Sequence, residues 1–136
     1  MSKTTVIKEM IGKRILGIYT DGDALDEANI GRKMLFELDG RVFVEFSHSQ
    51  DCCEDVYIAD ISCSCPIYEL YMGKITIAEK TTEYKDEDGE EMWTFYRFCT
   101  DKGDLTIRWI GADNGYYSKE VDTLMYTISD KKDIEI

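Results

Sequence analysis

Apolar and polar positions alternate with a period of two through most of this chain. The clearest case is the stretch from Glu90 to Tyr117. Leu105, Ile107 and Trp109 alternate with Asp104, Thr106 and Arg108, while Met92–Thr100 is dense in aromatic and β-branched residues. Both read as strands. A two-residue turn at Lys102-Gly103 would pair Phe98 with Ile107, Tyr96 with Trp109 and Arg97 with Arg108. A four-residue loop over Asp101–Asp104 would give the same pairs.

The strand Lys74–Tyr84 precedes this hairpin, followed by Asp86-Glu87-Asp88-Gly89, in which Gly89 suits a left-handed turn position. That turn pairs Tyr84 with Met92, Ala78 with Phe98 and Glu79 with Arg97. A row Glu79–Arg97–Arg108 is then expected across three strands. Like charges directly opposite are destabilising, so a negative group is expected near the two arginines. One carboxylate between two guanidiniums leaves excess positive charge, beside Trp93 and Phe95 on the same face. The plain alternative is a solvated ion-pair row. The functional reading is an anion site with aromatic rings for stacking.

The remaining segments carry the same period. Ser2–Ile11 has apolar residues at helical spacing and is followed by Gly12, which predicts a short helix. Lys13–Thr20 reads as a strand and Asp21–Ile30 as an exposed acidic loop, whose DGD start lacks the spacing of a calcium loop. Gly31–Leu38 and Arg41–Phe46 form a hairpin about Asp39-Gly40. Its preferred register pairs Glu37 with Arg41, Phe36 with Val42, Met34 with Val44 and Lys33 with Glu45. Ser47–Ile61 holds a short strand around Val56 and Ile58. Cys65–Met72 suits one or two helical turns with Pro66 at their start, and Lys119–Ser129 is a last strand. The fold class is mainly β (α+β): a single antiparallel sheet curled into a partly open barrel, with one or two short helices. Both faces of Met92–Thr100 are aromatic, which predicts a central strand covered on both sides. Residues 1–136 form one domain, with 130–136 as a frayed tail.

Composition narrows the function. A net charge of −12 and a pI near 4.4 oppose direct binding to nucleic acid. The same charge permits mimicry of nucleic acid towards a basic protein. No apolar run approaches the ~18 residues of a membrane span, and no secretory signal is expected. Five cysteines, an odd number, point to reduced thiols in a cytosol. Edge pairing into a homo-oligomer stays open.

Candidate chemistry is sparse. His48, the sole histidine, lies near Cys52, Cys53, Cys63 and Cys65. Zinc needs tetrahedral thiolate and imidazole donors, usually from C-x2-C knuckles. The C-C and C-x-C spacings here make His48, Cys52 and Cys53 weak metal candidates. A cysteine nucleophile served by His48 and Asp51 lacks any second signature. No P-loop, GxGxxG or HExxH pattern occurs, so no cofactor is expected. The loop Gly111–Ser118 has a turn former at Asn114-Gly115 and two tyrosines, Tyr116 and Tyr117, which suit either ring packing or ligand contact.

The segments QDCCEDVYIADI, EMWTFYRFCTDKGDLTIRWIGADNGYYS and the N-terminal MIGKRI resemble a phage and prophage family of small uncharacterised proteins. Its pattern is close to H-x-Q-D-C-C-E-x-V-Y-I-x-D-I, then W-T-F-Y-x-F-x-T and T-I-R-W-x-G-x-x-N-G-Y-Y-S. The match runs from about Met10 to Val121 and marks His48, Asp51, Cys52, Cys53, Glu54, Trp93, Arg108, Trp109, Asn114, Tyr116 and Tyr117 as motif positions. Cys63, Cys65 and Cys99 fall outside it. The resemblance implies a phage accessory protein, acting in the host cytosol on a defence component. Two binding roles follow. In one, Arg97, Arg108, Trp93, Phe95, Trp109, Asn114, Tyr116 and Tyr117 hold a small anionic, nucleotide-like ligand. In the other, the acidic surface docks on a basic host nuclease. No catalytic role is expected.

Overall fold

A computed structural model describes residues 3–23, 29–49, 54–85, 90–112 and 119–127. The alternating pattern folds into eight strands: β1 (Ile15–Thr20), β2 (Met34–Leu38), β3 (Val42–Ser47), β4 (Asp55–Cys63), β5 (Ile75–Tyr84), β6 (Glu91–Thr100), β7 (Asp104–Ala112) and β8 (Asp122–Thr127). They form two four-stranded antiparallel sheets, ordered β1-β2-β3-β8 and β4-β7-β6-β5. The mainly β expectation holds, but the strands divide between two sheets. Strands with one strongly apolar face bury it most completely against a second layer. Phe36 and Phe46 of the first sheet meet Phe98 and Tyr96 of the second, with ring centroids 5.1 and 4.9 Å apart. At one corner the sheets are stitched by backbone bonds, Ile15 N–H to the Gly73 carbonyl (3.0 Å) and Ile75 N–H to the Lys13 carbonyl (2.9 Å).

Helix α1 (Lys3–Lys8) packs against β5 and β8, with Ile7 and the following Met10 fully buried. The chain then reverses through Gly12 at φ 93°. A 3-10 turn over Ile67–Leu70 occupies the segment expected to be helical and buries Leu70. No helix among the described residues is long and apolar enough to cross a membrane.

Two hairpin registers differ from expectation, each by a shift that preserves the faces. Between β2 and β3 the loop is Asp39-Gly40-Arg41, with Gly40 and Arg41 both left-handed, so Leu38 pairs with Val42 and Phe36 with Val44. Lys33 and Glu45, no longer directly opposite, still meet at 3.7 Å. Between β6 and β7 the turn is centred on Asp101-Lys102. Thr100 N–H donates to the Gly103 carbonyl (2.9 Å), and the Thr100 hydroxyl accepts from Lys102 N–H (3.0 Å) and Gly103 N–H (3.1 Å). Asp101 Oδ1 also accepts from Lys74 N–H at 2.9 Å. These side-chain bonds draw the turn one residue earlier than Lys102-Gly103. The pairs become Phe98–Leu105, Arg97–Thr106, Tyr96–Ile107 and Phe95–Arg108. The third expected register, between β5 and β6, is as read: Tyr84 pairs with Met92, Ala78 with Phe98 and Glu79 with Arg97.

Met92, Thr94, Tyr96 and Phe98 point into the core from β6, while Trp93 and Phe95 are half-buried and Arg97 is exposed. The described residues therefore cover one face of β6, not both.

Candidate functional site

The outer face of the second sheet carries four of the residues that the sequence singles out, Trp93, Phe95, Arg97 and Arg108. A bulge at Ala59 resets the alternation of β4, so Tyr57 and Asp60 both take outward positions. Three cross-strand rows result. The first is Tyr57–Ile110–Trp93–Glu83, the second Asp60–Arg108–Phe95–Thr81, and the third Ser62–Thr106–Arg97–Glu79.

Arg97 and Arg108 share this face but stand one row apart rather than opposite. Each has its own acid. Arg108 Nη2 is 2.8 Å from Asp60 Oδ2, and Arg97 Nη1 is 3.4 Å from Glu79 Oε2. The expected excess of positive charge is thus absent between them, and the inference of an anion site at that pair does not stand. What the arginine does instead is stack. The Arg108 guanidinium lies 4.4 Å from the centroid of Trp93, and Nζ of Lys85, the residue just past β5, lies 4.0 Å from it. Trp93 Nε1–H donates to Glu91 Oε1 at 2.6 Å, and its ring meets Phe95 edge-on at 6.1 Å. Trp109 is a correction of a different kind. It faces the other side of the sheet, 1 % exposed among Ile58 and Ile107, and cannot reach this surface. Asn114, Tyr116, Tyr117, Cys52 and Cys53 lie outside the described residues.

A concavity that no short motif announced opens beside the first row. Asp21 Oδ1 accepts from Arg32 N–H (2.8 Å) and Lys33 N–H (3.1 Å), while the Gly31 carbonyl accepts from Ile58 N–H (2.9 Å). Only glycine fits at Gly31: φ is 132°, and a Cβ would stand 2.1 Å from Asp21 Oδ1. This fastening holds the segment before β2 against β4 and leaves a cleft of about 420 Å³, lined by Ile30, Gly31, Arg32, Asp55, Tyr57 and Ile110. Arg32 pairs with Asp55, and its guanidinium lies 6.0 Å from the Tyr57 ring centroid. The acidic loop read from sequence as merely exposed therefore supplies, through Asp21, the anchor of one cleft wall.

His48 is engaged on both sides of its ring. Nδ1 lies 2.8 Å from the Glu120 carbonyl and Nε2 lies 3.2 Å from Glu54 Oε1, with both side chains buried. A carbonyl only accepts, so Nδ1 carries a proton, and a further proton is shared between Nε2 and the carboxyl group. Neither nitrogen offers a lone pair to a metal or to a cysteine. This counts against both the zinc and the nucleophile readings. Among the described residues no group of three or more His, Cys, Asp or Glu is disposed to hold a metal ion. Cys63 and Cys65 sit apart from His48 in the fold's hydrogen bonding, with sulfurs 3.8 Å from each other. Burial pushes the Cys65 thiol up, and the hydrogen bond with Cys63 adds to this.

No curated protein and no solved structure matches the chain. From Asp21 at the cleft wall to Glu120 beside His48, every residue of these arrangements falls within 8–123, the stretch that matches the model of a domain of unknown function, DUF7448, and the chain belongs to that family.

Proposed function

We propose that this is a non-enzymatic binding protein that takes a small, planar, phosphorylated ligand of nucleotide type in the cleft beside Tyr57. In the phage setting that the sequence resemblance implies, it would work in the host cytosol by sequestering such a molecule from a defence system. The observation that carries this reading is the cleft itself: about 420 Å³, walled by a tyrosine ring and a guanidinium. Ligand sites of this kind span roughly 300–1,000 Å³. The phenol face gives stacking area, and a guanidinium holds phosphate oxygens bidentately. Arg32 and Asp55 are each more than half exposed, so their pair is worth about 0–1 kcal/mol and yields easily to a phosphate. Trp93 and Arg108 continue the same face and extend it for a larger ligand.

Calorimetry and thermal shift with linear mono- and dinucleotides and with cyclic nucleotides test the reading. At least one class is expected to raise the melting temperature. Tyr57→Ala and Arg32→Ala should each weaken that ligand at least tenfold, while Arg97→Ala leaves it unchanged. A panel with no shift at millimolar concentration sinks the proposal.

The net charge of −12 favours a second reading, an acidic inhibitor that occupies the nucleic-acid groove of a basic nuclease. Its mark would be co-purification with a host nuclease, released as salt rises.

A further inference from the structure

Cys63 and Cys65 form a feature unused by either reading. Cys63 is the last residue of β4, paired with Leu105 of β7, and Cys65 follows two residues later. The segment between them is fastened to the β6–β7 turn. Ser64 N–H donates to the Asp104 carbonyl (3.0 Å), and the Ser64 hydroxyl accepts from Asp104 N–H (2.9 Å). Cys65 Sγ itself lies 3.8 Å from the Lys102 carbonyl. This bracing holds the two sulfurs 3.8 Å apart, both partly exposed and neither in a disulfide. Cys99 is the third described thiol and is buried.

We infer that Cys63 and Cys65 are a dithiol redox site that closes to an intramolecular disulfide by exchange with a low-molecular-weight disulfide such as oxidised glutathione. One protein thiolate attacks the small disulfide, forms a mixed disulfide and releases one small thiolate. The second protein thiolate then attacks the protein sulfur of that mixed disulfide and releases the other. The protein dithiol loses two electrons and two protons, and the reagent ends as two thiols. Juxtaposition drives the second step, since the resolving sulfur stands two residues away and is already within contact distance. A partly exposed disulfide of this kind belongs to the labile, regulatory class rather than the structural one.

The test equilibrates the full chain in glutathione buffers of graded ratio, then alkylates free thiols and digests on the N-terminal side of aspartate. Cleavage before Asp60 and Asp86 places Cys63 and Cys65 in one peptide, apart from Cys52, Cys53 and Cys99. That peptide should lose two hydrogens and both alkylation sites together, carrying no glutathione. Cys63→Ser and Cys65→Ser should each instead retain a stable glutathione adduct on the remaining cysteine. Two alkylated cysteines at a ratio that oxidises a small-molecule dithiol would overturn the inference. So would a persistent glutathione adduct in the unaltered chain.

Discussion

Tyr96 shows how one buried polar atom sets a pH limit on this fold. Its ring lies in the core against Phe46, and the residue is 0 % exposed. Among the described residues its hydroxyl faces that of Thr123 but makes no hydrogen bond of good geometry with it or with any other group. Burial holds the phenol well above its ordinary value, and the Thr123 hydroxyl pulls the other way without offsetting that. The neutral form is thus the one that the folded chain accepts. Below about pH 10 the tyrosine is neutral in both folded and unfolded chains and adds no pH dependence. Above it the unfolded chain releases this proton while the folded chain keeps it, so stability falls by about 1.4 kcal/mol per pH unit. Tyr96→Phe removes that loss. At neutral pH the same change deletes a buried hydroxyl that faces Thr123 without a well-formed hydrogen bond, and an unmade bond of this sort costs about 1–3 kcal/mol. Urea midpoints at pH 7 should therefore be equal or higher for Tyr96→Phe, and its decline above pH 10 shallower. A variant destabilised by more than about 1 kcal/mol at pH 7 would show that the hydroxyl is satisfied after all.

At the scale of elements, the decisive quantity is strand register, and here sequence and structure part in an instructive way. A slip of two residues keeps every side chain on its face, so the pattern of Leu105, Ile107 and Trp109 reports the inner face under either pairing. The face was legible; the partner was not. Which partner wins depends on small hydrogen bonds at the turn, those of Thr100 and Asp101, and on a left-handed Arg41 beside Gly40. By contrast the β5–β6 register is the expected one from Tyr84–Met92 to Ile77–Cys99 and shifts only at a bulge between Ile75 and Ile77. The cleft was illegible because Asp21, Gly31, Arg32 and Tyr57 come from separate elements and form no contiguous motif. The His48–Glu54 motif turns out to join elements as well. Those two side chains link the end of β3 to the start of β4, and the Glu120 carbonyl ties both to the approach of β8. Gly111 lets the same approach lie close, since a Cβ there would stand 2.8 Å from Lys119 Cβ. Glu54→Ala leaves a buried ring nitrogen without its partner and should cost about 3 kcal/mol or more. Glu54→Gln can still donate an amide hydrogen to an unprotonated Nε2 and should cost about 1 kcal/mol. Equal losses for the two in chemical denaturation would mean that an amide hydrogen cannot stand in for the shared proton at this junction.

For the molecule as a whole, two packed sheets supply the stability and an uneven charge opposes it. Aromatic residues from both layers interlock across a single core, which at this chain length needs no metal or disulfide. Against this stand 28 acidic residues and 16 basic ones, a net −12 that repels itself more in the compact state than in the expanded one. Salt acts on both sides of that balance. It weakens surface pairs such as Arg97–Glu79, but each of these contributes only about 0–1 kcal/mol. It also screens the unbalanced acids, over a Debye length that shrinks from about 10 Å at 0.1 M to about 3 Å at 1 M. With the acids so far in excess, screening of repulsion should win. The melting temperature is expected to rise between 0.05 and 0.5 M sodium chloride, by roughly 4 °C for each kcal/mol gained. A fall over that range would mean that the ion pairs on the outer face matter more than the overall charge. The same salt series bears on function, because a ligand held by Arg32 in the cleft should weaken modestly as salt rises. A basic protein docked on the acidic surface should instead dissociate steeply.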